Sequence, residues 1–497
     1  MMKKIALLSV AIFFATSVLE AHDYSWETRM KIDLRNMADS LTQNLTPWKV
    51  PGRIFRVEDF GAIGDGTVIN TEAIQQAIDA CSKAGGGVVL FDKGDYVTGT
   101  FEIKSGVMVE VDENARILGS TNLADYPERI ETFKSVMSEI YKFRLSLIYA
   151  ERAENIGIRG KGEIYFRGER TNFPGPQTTG EIVGRPLGIR MIECKNVVLQ
   201  NIFLHNSAAW MQNYVYCKNL IFDGIKVENH ANYNNDGLDP DGCTNVIVRN
   251  CFINSEDDAM CLKGGSDKPT QNVLIENSTF ISTCNALKIG TDTQGPFRRI
   301  LARNLKLGGI PDSLFSSAGN QASTGITLAT VDGGDVDHIY IHDVQINQSR
   351  CPIFIRIGKR GRVMPGVQKP NPGNLKMVLI QNVTGKRNFK QGSFISGISG
   401  QRVEDIIIRN YKLKMEGGGS PEMAKAKVTE DEYGYPDAHQ FSVKGLPAYG
   451  FYVRHAKNVS FDSVEIEPVK TDLRPEFISG GDTENILVNG KQIQLKK

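Results

Sequence analysis

Four stretches of one pattern decide the fold: NVVLQN (196–201), NLIFDG (219–224), NVIVRN (245–250) and NVLIEN (272–277). Each begins with asparagine, continues with an apolar-rich run and closes five residues later on asparagine or glycine. The four starts lie 23, 26 and 27 residues apart, and a fifth copy begins 27 residues later at Arg299. A repeat of roughly 20–50 residues is typical of a solenoid.

Further copies extend the pattern over most of the chain, beginning at Asn155, His338, Met377, Asp405 and Asn458. Their aliphatic and β-branched residues predict strands, and no helical period runs through them. A coil of ~25 residues accommodates three short strands and three turns, and stacked coils bury a continuous apolar column. The sequence therefore predicts an all-β, right-handed parallel β-helix. A propeller or a sandwich would need antiparallel hairpin signals, which are scarce.

The two ends and the long connections complete this architecture. Residues 71–84 have a helical period that places Ile74, Ala77, Ile78 and Cys81 on one face, which predicts an N-terminal helix capping the open end of the core. Beyond residue 304 the repeat widens, and the excess predicts loops at 308–323, 360–374 and 414–450. Long loops on a solenoid are typical of its binding face.

The first residues have the pattern of a cleavable secretory signal. Lys3 and Lys4 precede an apolar-rich run that ends in the small residue Ala21. We expect a signal peptide at 1–21, an N-terminal extension at 22–53 and a single β-helix domain at 54–497. The expected location is the periplasm or the outside of the cell.

Composition excludes several classes of protein. The 497 residues carry 58 Lys+Arg against 57 Asp+Glu, a net charge of +1, which argues against a nucleic-acid binder. No later apolar run is long enough for a membrane span. The eight cysteines form no CxxC pair, so zinc and redox chemistry are not indicated, and both disulfides and stacked buried thiols stay open. The sequence gives no oligomeric state.

Acidic residues recur at one corner of successive coils. The strands that follow Asp236, Asp258 and Asn285 align at separations of 22 and 27 residues, so these side chains should stack. Asp257 should point differently from its neighbour Asp258. Because crowded carboxylates repel each other, one should hold its proton near neutral pH, which supplies the acid and base of glycoside hydrolysis. A calcium site and a solvated turn are the alternatives.

These residues and several other segments carry a resemblance to a known family. NNDGLD (234–239), Asp257-Asp258, FGAIGDGT (60–67) and NTEAIQQAIDAC (70–81) resemble the polygalacturonases of glycoside hydrolase family 28, and the likeness covers about 54–413. The resemblance implies the same β-helix and an inverting hydrolysis without cofactor or metal. It also implies that Asp257 is the general acid and that Asp236 and Asp258 activate the attacking water.

The sequence departs from this family at two places. Asn285 stands where the family has a histidine, and Thr327-Leu328-Ala329 stands where an Arg-Ile-Lys motif grips the substrate carboxylate. A uronate held away from water needs a cation. The candidates for that contact are Lys263, Lys288, Arg356 and Lys359.

Other polar and aromatic residues complete the predicted binding site. Asn234 belongs to the matching motif, Asn285 can hydrogen-bond Asp258, and His230 precedes the motif on an expected loop. Trp210 and Tyr233 are candidates for stacking on sugar rings, although packing beneath the active coil is the more ordinary role of Trp210.

The sequence thus predicts a secreted or periplasmic glycosidase that acts on pectic, galacturonic-acid-containing polysaccharide or oligosaccharide. Three alternatives remain: a hydrolase of a neutral glycoside, a polysaccharide lyase on the same fold with Lys263 as base, and a non-catalytic carbohydrate-binding β-helix.

Overall fold

A computed structural model describes residues 25–129, 133–142, 144–175, 184–309, 321–441 and 445–493, apart from the side chains of Met137, Thr291, His439 and Gln440. The expected signal peptide lies outside these residues. So does most of the expected loop at 308–323. Of the helices in the described part, none has both the length and the apolar character needed to cross a bilayer.

The helical elements are short apart from two at the N-terminal end. They are α1 (Ser25–Asn44), α2 (Thr71–Lys83), α3 (Val136–Glu139), α4 (Pro421–Ala424) and α5 (Ala438–Phe441), with single 3-10 turns at Val57–Phe60 and Leu123–Asp125.

Strands make up the rest of the regular structure. In chain order they are β1 (Ile54–Arg56), β2 (Asp65–Ile69), β3 (Gly87–Phe91), β4 (Gly94–Thr98), β5 (Phe101–Glu102), β6 (Val107–Val111), β7 (Ala115–Gly119), β8 (Ser146–Glu151), β9 (Glu154–Gly160), β10 (Glu163–Tyr165), β11 (Leu187–Ile192), β12 (Lys195–Gln200), β13 (Phe203–His205), β14 (Gln212–Val215), β15 (Lys218–Asp223), β16 (Lys226–Asn229), β17 (Asp239–Asp241), β18 (Thr244–Arg249), β19 (Phe252–Ser255), β20 (Met260–Gly264), β21 (Thr270–Ser282), β22 (Asn285–Thr293), β23 (Phe297–Gly308), β24 (Ala322–Thr330), β25 (Val336–Asn347), β26 (Ser349–Ile357), β27 (Leu375–Asn388), β28 (Ser393–Ser396), β29 (Val403–Gly417), β30 (Phe451–Arg454), β31 (Ala456–Lys470), β32 (Phe477–Gly480), β33 (Glu484–Val488) and β34 (Lys491–Gln492).

Successive coils stack their strands in parallel register, as the repeat predicted. Val197 of β12 pairs with Leu220 of β15, which pairs with Val246 of β18 and then Val273 of β21. These inward residues are fully buried in one continuous core. The last strand β34 pairs antiparallel with β33. The predicted parallel β-helix is confirmed.

Several repeats begin with an asparagine in the left-handed region of backbone conformation. Asn196, Asn219, Asn245 and Asn272 have φ between 55° and 62°. Each donates a side-chain hydrogen bond to the corresponding asparagine of the preceding coil, at 2.8 to 3.0 Å, and the series starts at Asn155. Asparagine tolerates this conformation better than most residues, and its amide can donate and accept at once. We call this series the asparagine ladder.

Two helices cover different parts of the solenoid. Helix α2 buries Ile74, Ala77, Ile78 and Cys81 against the first coils, which confirms the predicted cap. Helix α1, for which the sequence analysis predicted only an extension, lies along the flank instead. It buries one apolar face against an outward stripe made of the middle residue of six motifs. That stripe is Ile247, Leu274, Leu301, Tyr340, Leu379 and Ile407.

All eight cysteines are free thiols, and all but Cys284 are buried. Cys194 and Cys217 precede paired residues of β12 and β15, so they recur at the same place on neighbouring coils. The structure therefore has the stacked thiols that the sequence analysis left open, and no disulfides among these eight.

Candidate active site

The predicted stacking of acids is confirmed by the strand register. Leu238 pairs with Met260, and Met260 pairs with Leu287, so Asp236, Asp258 and Asn285 occupy the same position on three successive coils. The Gly237 amide donates to the Asp258 carbonyl at 2.8 Å, and the Ala259 amide donates to the Asn285 carbonyl at 2.9 Å. This corner is a backbone-defined column, like the asparagine ladder.

Asp257 differs from its neighbours in exposure. It is partly exposed, whereas Asp236 and Asp258 are buried at 2% and 3% relative exposure. Burial of its carboxyl raises the pKa of Asp257, and the negative charges of Asp258 and Glu256 raise it further, to about 7. Asp257 can therefore carry a proton at neutral pH and still reach a bound molecule.

Asp258 is held in the opposite state. Burial opposes its ionisation, but the charges of Lys288 and Lys263 and a hydrogen bond from Asn285 outweigh burial and keep its pKa below the ordinary value. The Lys288 Nζ lies 3.0 Å from Asp258 Oδ2, and Asn285 Nδ2 donates to Asp258 Oδ1 at 2.6 Å. Adjacent residues in the chain thus have pKa values pushed apart, which is the usual arrangement of an acid and a base.

Lys263 pairs with acids of the preceding coil. Its Nζ lies 3.2 Å from Asp236 Oδ2, 3.4 Å from Asp239 Oδ1 and 4.0 Å from the centre of the Trp210 ring. Burial raises the pKa of both Asp236 and Asp239; the charge of Asp239 raises that of Asp236 further, and the charge of Asp258 raises that of Asp239. One lysine is thus shared between two buried carboxyl groups. Trp210 is buried and packs against the lysine.

Lys288 brings in a residue that the sequence analysis missed. Its Nζ also lies 3.1 Å from Asp437 Oδ1, and its side chain is 1% exposed. Asp437 belongs to residues 418–450, which join β29 to β30 and which we call the covering segment. No repeat marks this segment. YGYPD (433–437), an acid among turn-forming and aromatic residues, was the available signal.

The remaining predicted binding residues lie at different distances from the acids. Asn234 accepts a hydrogen bond from the buried Arg185 guanidinium at 2.9 Å, which orients the motif. His230 Nε2 lies 2.8 Å from Asn254 Oδ1, and burial lowers the pKa of this imidazole. The binding roles of Asn234 and His230 stay predictions.

Arg356 contacts the covering segment. It is 1% exposed, and its Nη2 donates to the carbonyls of Glu430 and Asp431 at 3.0 and 2.9 Å. Lys359 is exposed, with its Nζ 5.7 Å from the centre of the Tyr433 ring. Tyr233 stacks with Arg170 and accepts its hydrogen bond at 2.6 Å. Their substrate contacts also stay predictions.

Asp257, Asp258 and Cys284 offer ligand atoms within 4.8 Å of one another. Two carboxylates and a thiol are a poor match to calcium, which takes six to eight oxygen ligands. A protonated carboxyl of pKa about 7 beside ionised Asp258 matches general acid chemistry more closely.

Comparisons with known proteins agree with this geometry. The chain is 27% identical over 321 residues to a probable polygalacturonase of Vitis vinifera, covering 60% of this chain and 61% of the relative. It is 24% identical over 332 residues to an exo-poly-alpha-D-galacturonosidase of Dickeya chrysanthemi, covering 57% and 55%. The chain thus spans between half and two thirds of the length of these relatives.

A solved structure supports the fold. The hyperthermoactive exopolygalacturonase from Thermotoga maritima superposes with a TM-score of 0.67 at 19% identity, over 87% of this chain and 96% of that one. The family description Glycosyl hydrolases family 28 matches residues 92–434, a span that includes Asp236, Asp257 and Asp258 and ends before Asp437. The chain therefore belongs to glycosyl hydrolases family 28.

Proposed function

We propose that this protein is a glycoside hydrolase that cleaves glycosidic bonds in pectic polysaccharide or oligosaccharide with inversion of configuration. Asp257 protonates the leaving oxygen, and Asp236 and Asp258 orient and deprotonate the attacking water. The observation that carries the proposal is the divergent ionisation of Asp257 and Asp258. The pKa of the first is raised to about 7, and that of the second is kept below its ordinary value.

The acids have the access that these roles need. Partly exposed Asp257 faces the solvent side of the column, where a leaving oxygen can approach, and buried Asp258 has its two oxygens fixed by Lys288 and Asn285. General acid–base catalysis at such a pair contributes ~10²–10⁴-fold to the rate.

A lyase mechanism is less favoured by the state of the lysines. It needs an unprotonated basic residue to abstract a proton from carbon. The charges of Asp239 and Asp236 outweigh burial and raise the pKa of Lys263, and Asp258 and Asp437 do the same for Lys288. Both amines therefore stay charged and occupied.

The test is hydrolysis of pectic oligosaccharides in ¹⁸O-labelled water by wild type and by Asp257→Asn, with products followed by mass spectrometry and proton NMR. We expect one labelled oxygen per cleavage, an inverted anomer released first, and a kcat lower by ~10²–10⁴-fold in the variant. Asp223→Asn, which removes a carboxylate paired with Arg249 on another face, is the matched control. Unsaturated products, or equal rates in both variants, would exclude the proposal.

We also propose that the protein is exported, on the pattern of residues 1–21. N-terminal sequencing of protein secreted by the native host should begin at His22. A mature protein that begins at Met1 would exclude cleavage.

A further inference from the structure

The cations nearest the catalytic acids are already occupied by other groups. Lys263 and Lys288 have side chains only 2% and 1% exposed, and each lies between two carboxylates at 3.0 to 3.4 Å. A lysine in this position neutralises the protein's own charge. It is not available to a carboxylate that arrives with a substrate, because moving it would leave buried acids unpaired.

Three arginines that follow in the chain also have protein partners. Arg356 donates from Nη2 to two carbonyls of the covering segment, and its buried Nη1 has no hydrogen-bond partner. Arg360 pairs with Asp332, and Arg362 lies 3.5 Å from Asp292.

Carboxyl groups outnumber cations where a sugar would be cleaved. Among the described residues, six acids gather at the column, namely Asp236, Asp239, Glu256, Asp257, Asp258 and Asp437, and the cations beside them are Lys263, Lys288 and Arg185. A uronate carboxylate that entered this space would lose water, meet acids and find these described cations already paired or hydrogen-bonded.

The covering segment offers a surface of another kind. Tyr433 and Tyr435 are 66% and 36% exposed, and the centre of the Tyr435 ring lies 6.0 Å from Lys288 Nζ. That amine contacts Asp258, so the ring stands beside the catalytic column. Aromatic rings hold sugars by contact with their C–H faces, which requires no charge.

The position of these tyrosines is fixed at both ends of the covering segment. On one side, Arg454 donates to the carbonyls of Val428 and Thr429 at 3.0 and 2.6 Å. On the other, Phe441 packs against Phe354 and Phe394. The segment is part of the wall of the site.

We propose that the covering segment makes the subsite next to the cleaved bond selective for an uncharged sugar ring, which packs on Tyr435. This inference rests on the proposed function and specifies its substrate class: the chain that is cleaved carries a neutral pyranose at this position.

The decisive comparison uses two trisaccharides of one linkage and stereochemistry: tri-galacturonide, and the same molecule with its carboxylates reduced to alcohols. We expect kcat/KM to be at least about ten-fold higher for the reduced trisaccharide. Equal or higher kcat/KM for tri-galacturonide would overturn the inference while leaving hydrolysis, and so the proposed function, intact.

Binding keeps the inference testable even if wild type cleaves neither compound, a result that would count against the proposed function. Calorimetry on Asp257→Asn measures both affinities without turnover. Tighter binding of the reduced trisaccharide supports the inference. Tighter binding of tri-galacturonide, or no binding of the reduced compound, overturns it.

Variants of the two tyrosines locate the contact. Tyr435→Ala should weaken binding of the reduced trisaccharide by about five-fold, and Tyr435→Phe should preserve it, because the ring is the contacting group. Tyr433→Ala, on the same segment but beside Lys359, should have a smaller effect. An unchanged affinity in Tyr435→Ala would remove Tyr435 from the proposal, and a loss of affinity for tri-galacturonide alone would reverse it.

Discussion

The asparagine ladder and the acidic column are built by the same coils, yet they are stabilised in opposite ways. In the ladder, each neutral amide donates to the coil before it and accepts from the coil after it, so stacking identical residues completes their hydrogen bonds. In the acidic column, stacking carboxyl groups creates repulsion, which raises the pKa of Asp236 and is opposed by two buried lysines. Repetition alone maintains the first column, whereas the second needs residues from outside the repeat.

The two regions are also covered differently. Beside the ladder, α1 lays an apolar helix face on an apolar stripe. Over the acidic column, the covering segment is held by arginines that donate to its carbonyls, and it delivers one carboxylate to Lys288. The cover of the charged site therefore depends on individual hydrogen bonds and ion pairs. The cover of the flank depends on the apolar area that α1 buries.

The largest expected effect is at the charged contact. Lys288→Met should lower the free energy of unfolding by about 3 to 5 kcal/mol, because it leaves Asp258 and Asp437 buried without their shared cation. Urea denaturation measures it. Lys414→Met removes a lysine whose side chain is 60% exposed and should change stability by less than about 1 kcal/mol. Similar losses of unfolding free energy in the two variants would show that the burial of a lysine does not determine its contribution to stability.

The helix-covered flank should respond to lost area. Leu34 is fully buried between α1 and the stripe, so Leu34→Ala should cost about 3 kcal/mol. Ile32 on the same helix is 54% exposed, and Ile32→Ala is the control. Thermal unfolding of the two variants is the measurement. Equal midpoint temperatures would mean that α1 does not stabilise the coils.

Within the ladder, replacement of one asparagine should lower the free energy of unfolding by less than the two substitutions above. Asn245→Ala should cost roughly 1 to 2 kcal/mol, since alanine both loses two hydrogen bonds and resists the left-handed conformation at φ 61°. Asn245→Gly loses the same bonds without the backbone strain, so urea denaturation should place it between alanine and wild type. Glycine equal to alanine would assign the whole effect to hydrogen bonding.

The smallest effect is a shift in pH dependence. Asp257 must carry its proton to act as an acid, so kcat/KM should be retained below its pKa of about 7 and lost above it. The groups around Asp257 are Asp258, Glu256, Lys288 and Asp437, and the charge of Asp437 helps to raise its pKa. Asp437→Asn should therefore move the alkaline limb to lower pH, by less than about one unit.

Asp437→Glu, which keeps the charge, should restore the limb in the same pH profile. A limb that stays in place in Asp437→Asn would separate the covering segment from catalysis.

The sequence predicted the features that repeat. Spacing alone placed Asp236, Asp258 and Asn285 in one column, and the apolar period of residues 71–84 predicted the cap. Helix α1 was missed although a signal existed. Motifs such as VIV (246–248) and VLI (273–275) are apolar at three consecutive positions, and the outward middle residue of such a run requires a cover.

Asp437 could not be found in this way. It meets Lys288 across 149 residues of sequence and belongs to no repeat, so neither period nor register relates the two. The same holds for the contacts of Lys288 and Arg356 with the covering segment. The sequence placed Lys288 near the acids, but its pairing with Asp437 follows from the path of the covering segment.

The contact between Glu27 of α1 and Arg409 joins residues that lie 382 positions apart. A ribosome makes the chain from its N-terminus, so α1 exists before every strand that it will cover. Its apolar face must remain without its final partner until the coil of Ile407 has been added. Attachment of this helix is therefore a late event of folding that reports addition of the coil of Ile407. A chain that stops short of that coil leaves the helix only partly attached.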